Sequence, residues 1–184
     1  EVSSLSLAQA VGIKSSITTQ KYLNFLEEAY LIFTINRFSY KTKHAGQNKK
    51  TYSYDNGLIE AKAFKASPNY GKLFENIIAL TLKKNALQKK LELYYWRNQQ
   101  NEEVDFVIKK GTQITELIQA CYLLENQKTH EREVRALLKA GKELGCNKLT
   151  ILTLREEKQE RCEWFGIVGS INYLPLSKWL LAEM

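Results

Sequence analysis

The residues best suited to chemistry lie in the middle of the chain. Asp105 stands in Glu102-Glu103-Val104-Asp105-Phe106, and Gln119 and Cys121 alternate with Ile118 and Ala120 a short distance on. In a strand, that alternation turns Gln119 and Cys121 to one face and buries Ile118 and Ala120 on the other. A carboxylate and an amide on neighbouring strands can converge on one divalent cation, with a strand carbonyl helping. A further acid, Glu75, sits on the helix that precedes these strands. Each residue also has a plain structural reading. Asp105 can pair with Arg97 or a lysine, Glu75 can be a surface acid, and Cys121 can serve as a small buried hydrophobe.

The elements that must position them follow from periodicity. Residues 71–86 predict an amphipathic helix through Leu73, Phe74, Ile77, Leu80 and Leu87. Strands are expected over 91–96, 104–109 and 113–122, with Lys110-Gly111 turning the second into the third. Residues 128–145 predict a long helix that buries Val134, Leu137, Leu138 and Leu144 and is closed by Gly145. A central strand follows at 148–154, then strands at 162–168 and 171–175 and a closing helix at 177–182. The order helix, three strands, helix, strand defines an α/β (α+β) core over residues 61–184.

Residues 1–60 read as a separate module. A short helix ends at Gly12, and a second runs over 15–29 with Ser15 or Ser16 as its cap. Within it Ile17, Tyr22, Leu23, Phe25 and Leu26 recur at helical spacing. A strand at 31–35, a basic loop and a strand at 51–54 complete a winged-helix-like pattern, and Asp55-Asn56-Gly57 turns the chain. Such a module lays its second helix in the major groove and its wing along phosphates. Lys21 on the helix and Arg37, Lys41, Lys43, Lys49 and Lys50 around the wing are the candidate nucleic-acid contacts. The outer face expected for the helix (Ser16, Thr18, Thr19, Gln20 and Lys21) lacks the arginines that read guanine edges.

Charge follows the same division. Residues 1–60 carry seven Lys/Arg against five acids, residues 62–90 carry seven lysines and only Glu75, and the remainder is nearly neutral. The positive field of the first half suits phosphate polymers or anionic partner surfaces. The two histidines and three scattered cysteines form neither a zinc motif nor a disulfide framework, which points to a reducing cytoplasm. No apolar run is long enough to span a membrane. The chain opens on Glu1 rather than a methionine, so it is expected to be part of a longer protein.

At this point a family resemblance emerges. Leu7-Ala8-Gln9-Ala10-Val11-Gly12-Ile13, Tyr22-Leu23-Asn24-Phe25-Leu26-Glu27-Glu28-Ala29-Tyr30-Leu31-Ile32, Tyr54-Asp55-Asn56-Gly57-Leu58, Gly71-Lys72-Leu73-Phe74-Glu75-Asn76, Tyr95-Trp96-Arg97, Glu103-Val104-Asp105-Phe106 and Leu117-Ile118-Gln119-Ala120-Cys121-Tyr122 follow one another in a familiar order. The chain resembles the C-terminal region of a group of prokaryotic AAA-type P-loop ATPases. There a nucleotide-binding domain precedes a winged helix and a domain of unknown function with a restriction-endonuclease-like, PD-(D/E)XK fold. The resemblance implies that Glu75 matches the superfamily's helix acid, Asp105 its central metal ligand and Gln119 its second ligand. Cys121 then falls where the catalytic lysine stands. A neutral thiol neither activates water nor offsets charge at a scissile phosphate, although Lys128 or Arg132 on the next helix could substitute.

The leading expectation is a noncatalytic C-terminal accessory region that binds DNA or a protein partner and is coupled to an upstream ATPase domain of the same chain. One alternative is a nuclease holding Mg²⁺ through Asp105, Gln119 and Glu75. The other is a DNA-binding regulator acting through the winged helix alone. No Walker motif is present, so ATP is expected to bind in the absent N-terminal domain rather than here.

Overall fold

The computed structural model describes residues 4–40, 49–62, 69–89, 91–124 and 127–183. The chain divides into two compact units, Glu1–Ala66 and Ser67–Met184.

In the first unit, α1 (Ser4–Ala10) leads through Gly12 to α2 (Ser16–Glu28). Ser15 caps α2, its hydroxyl accepting the Thr18 amide at 3.3 Å. That bond satisfies one of the amides a helix start leaves unpaired. Strands β1 (Ile32–Arg37) and β2 (Lys49–Ser53) pair antiparallel, and Phe33 stacks on Tyr52 at 5.6 Å. Helix α3 (Asn56–Lys62) follows where the sequence predicts only a turn. Asp55 explains the difference: its carboxylate accepts the Gly57 amide at 2.6 Å, so it starts a helix instead of closing a loop.

The second unit opens with α4 (Tyr70–Lys89). Strands β3 (Glu92–Arg97), β4 (Glu103–Lys110) and β5 (Gln113–Ala120) form an antiparallel meander. Helix α5 (Gln127–Leu144) then carries the chain to β6 (Leu149–Thr153), which pairs parallel to β5. The final elements are β7 (Lys158–Trp164), β8 (Ile167–Pro175) and α6 (Leu176–Glu183). Within the unit the strand order is β3-β4-β5-β6-β8-β7. The expected succession of helix, three strands, helix and strand is present, within a mixed sheet.

Every residue of β6 is buried, as expected of a strand between two helical layers. On one side α4 and α6 pack on each other, and the Asn85 amide of α4 donates to Glu183 of α6. On α4 the buried apolar positions are Phe74, Ile78, Ala79 and Leu82, whereas Leu87, predicted to be inward, is exposed. Helix α5 lies on the strand face that carries Gln119, and its His130 Nε2 meets the Tyr173 hydroxyl at 2.6 Å.

Two turns shape this unit. Gly145, at φ +66°, closes α5, and the Cys146 amide returns to the Gly141 carbonyl at 2.9 Å. The predicted strand over 162–168 is instead broken by a hairpin at Phe165-Gly166, both with positive φ. Gly141 permits the close approach at the end of α5. A Cβ there would sit 2.9 Å from the Cys146 carbonyl oxygen and 3.1 Å from Leu149. Gly141→Ala is therefore expected to destabilise the unit by roughly 1–2 kcal/mol despite alanine's better helix propensity. Urea unfolding midpoints measure this directly.

Candidate functional site

Asp105 and Gln119 are brought together, as expected for side chains on the paired strands β4 and β5. The contact differs from a pair of ligands facing a common cation. The Asp105 amide donates to Gln119 Oε1 at 3.1 Å, and Asp105 Oδ2 accepts the Ala120 amide at 3.0 Å. Gln119 Nε2 donates to Glu133 of α5. Glu133 Oε1 also accepts from Arg132 Nη2 at 2.7 Å. Strand, strand and helix are thus stitched through Gln119, with Asp105, Gln119 and Glu133 all buried.

Cys121 is buried beside this network and its thiol donates to the Leu123 carbonyl at 3.3 Å. Burial first, then the negative charges of Glu133, Glu156 and Asp105, push its pKa up to about 11, with Arg132 opposing. The thiol is neutral at physiological pH and is a poor nucleophile. Of the two residues expected to be buried on β5, Ile118 is buried and Ala120 is only half-buried. Gln119 and, just past the strand, Cys121 are buried instead of facing outward, because α5 covers their face.

Glu75 is half-buried on α4, one residue along from Phe74, whose ring meets Tyr122 at 5.7 Å. Of the two cations considered as substitutes for a catalytic lysine, Lys128 is exposed. Arg132 pairs with Glu133, whose hydrogen bond and charge are the main reason the Arg132 guanidinium is held above its usual pKa. Asp105 and Cys121 add to that shift. Among the described residues, no three His, Cys, Asp or Glu side chains come together in a form that would hold a metal ion.

Glu133 was not singled out in the sequence, yet a signal was available. It falls in line with Leu137, Ala140 and Leu144 on the inward stripe of α5. An acid on the buried face of an amphipathic helix needs a partner. Glu102 is the second such residue. It stands just before β4 and is buried, taking Lys139 Nζ at 2.7 Å and Asn98 Nδ2 at 2.5 Å and pairing with Arg135. Arg135 in turn lies 5.1 Å from the centre of the Trp164 ring.

The candidate nucleic-acid contacts are only partly on the surface. Lys21 is exposed, and Arg37 and Lys49 are half-buried at strand ends. Lys50 is only 6% exposed, which corrects its placement on an open wing. Its position on β2 has the same parity as Tyr52, which faces inward. Lys41 and Lys43 lie outside the described residues. On α2 the supposed DNA-reading face is also corrected at Thr19, which is buried with its hydroxyl on the Ser15 carbonyl at 3.2 Å.

With this geometry in view, the comparisons are specific. The family described as Domain of unknown function (DUF4143) matches residues 70–179. The chain belongs to this family. A second one, Domain of unknown function (DUF8612), matches residues 1–68. The DUF4143 match runs from the start of α4 into α6, and so takes in Asp105, Gln119, Cys121 and Glu133. An uncharacterized protein of Methanocaldococcus jannaschii is 36% identical over 162 residues, which cover 87% of this chain and 35% of the relative. An uncharacterized protein of Haemophilus influenzae is 29% identical over 123 residues, covering 65% of this chain and 28% of the relative. The chain spans about a third of the length of the curated relatives it matches. No solved structure matches it. Among the described residues, no helix is long and apolar enough to cross a membrane.

Proposed function

We propose that this chain is a noncatalytic accessory region of a longer P-loop ATPase, a winged-helix-like unit joined to a nuclease-like unit whose active site has become a structural strut. The observation that carries this reading is the use made of Gln119. Its amide oxygen accepts the Asp105 backbone amide and its nitrogen donates to Glu133, so both ends of the side chain are spent inside the fold. A divalent cation such as Mg²⁺ demands several well-placed oxygens. Asp105 already gives one oxygen to the Ala120 amide, and the thiol of Cys121 stays protonated. These residues do not fit a catalytic metal, and no hydrolytic step is derived from them. The role left to the unit is to bind DNA or a protein partner, with ATP bound elsewhere in the longer protein.

The test is incubation of plasmid, linear and single-stranded DNA with Mg²⁺ or Mn²⁺, beside an Asp105→Ala control. No cleavage above the control is expected. Metal-dependent cutting that disappears in the control would overturn the proposal and make the chain a nuclease.

A further inference from the structure

Helix α2 leaves most of its apolar residues on the surface. Its inward side is largely polar: Thr19 is 2% exposed and Glu27 accepts the Thr34 hydroxyl of β1 at 2.6 Å, with the half-buried Leu23 between them. Its outward side is apolar. Tyr22 is 53% exposed, Phe25 59% and Leu26 39%, and Tyr30 just beyond the helix is 75% exposed. The spacing places 22, 25 and 26 on one stripe, which an ordinary amphipathic helix turns to a core. The sequence pattern predicts those residues to be buried, and within the first unit they are not.

The size of the patch argues for a macromolecular partner. Aromatic side chains carry about 150–250 Å² each. At these exposures the four residues, with Leu31, offer surface on the order of 500–650 Å², at the top of the roughly 300–600 Å² of the largest patch on a typical monomer and approaching the about 800 Å² per partner of a stable interface. The charges beside the patch then select the partner. Lys21 and Glu28 are both exposed and stand seven residues apart, on the same flank of the stripe. When two copies of such a helix pack antiparallel, this flank meets its own equivalent running the other way. Lys21 of each protomer then faces Glu28 of its partner, giving two opposite-charge pairs from one surface. Self-complementarity of this kind is what a two-fold interface requires.

We propose that α2 is the contact between two copies of this chain, packed antiparallel about a two-fold axis with Tyr22, Phe25 and Leu26 at its centre and Lys21–Glu28 pairs at its rim. The proposal does not depend on the reading of the second unit.

Sedimentation of the 184-residue chain at micromolar concentrations tests it. A dimer is expected. Phe25→Glu should leave a monomer with an unchanged far-ultraviolet circular dichroism spectrum, because that side chain is 59% exposed and lies outside the buried core. Lys21→Glu and Glu28→Lys should each weaken the dimer roughly tenfold by setting like charges opposite one another, and the double exchange should restore it. A monomer at every concentration overturns the proposal and leaves the face to another partner, such as the remainder of a longer polypeptide. So does a dimer indifferent to Phe25→Glu. A double exchange no tighter than the single variants overturns the antiparallel pairing.

Discussion

Glu133→Ala is expected to destabilise the second unit by about 3 kcal/mol, measured by urea unfolding. The Gln119 amide loses its charged acceptor and is left as a buried donor without it, and each of those effects is worth about 1–3 kcal/mol. Arg132 adds little to the loss, since its side chain is 62% exposed and re-solvates when its partner is removed. Glu133→Gln keeps one acceptor and should cost about half as much. A loss below about 1 kcal/mol for the alanine variant would mean that the network is not a strut. The Gln119 amide would then not be committed to the fold.

The second large effect is expected at Glu102, where Lys139, Asn98 and Arg135 converge on one buried carboxylate. Glu102→Ala should cost about 2 kcal/mol near neutral pH, because Arg135 and Lys139 are each about 30% exposed and recover part of their hydration. Acid should expose the same interaction. Burial works to raise the Glu102 carboxyl, but the hydrogen bonds from Lys139, Asn98 and Arg135 outweigh it and hold the group below its ordinary value of 4.5. A carboxylate whose folded pKa is depressed stabilises the fold above its unfolded pKa. That contribution is lost as pH falls through the folded value. Urea midpoints of the wild-type chain should therefore decline below about pH 4.5, and those of Glu102→Gln should decline less steeply over the same range.

Much of the second unit was legible because its signals are local. The short apolar runs of β4 and β5 either side of the Lys110-Gly111 turn, the amphipathic stripe of α5 and the glycine after it each specify an element without reference to the rest of the chain. The helix α4 was also found, but its inward face was placed about one position off: Phe74, Ile78 and Leu82 are buried while Leu87 is not. Apolar residues surround that stripe on both sides, so periodicity alone does not select it. Phe165 hid the final hairpin, since an aromatic between Trp164 and Ile167 reads as a continuing strand, and only Gly166 marks a turn that needs positive φ.

Of the network, Asp105, Gln119 and Cys121 are legible in the sequence, whereas Glu133 and the wiring between them are not. Asp105 and Gln119 were placed on adjacent strands correctly. That Gln119 would reach across to α5 depended on which helix covers its face, and a strand pattern says only that some layer does. The most misleading element was α2. Its apolar spacing was clear, but a periodic stripe reports that a surface is to be covered and does not name what covers it.

The outermost strand of the second unit bears on how these molecules behave in a crowd. Among the described strands β7 pairs only with β8, and it is written Lys158-Gln159-Glu160-Arg161-Cys162-Glu163-Trp164, with Lys158 Nζ on Glu160 at 2.6 Å. An open strand margin is a template on which another chain can crystallise its own backbone, and ionic side chains along it make such stacking costly in desolvation. On that side, growth by sheet extension into fibres is disfavoured. The charged border protects the fold against aggregation there.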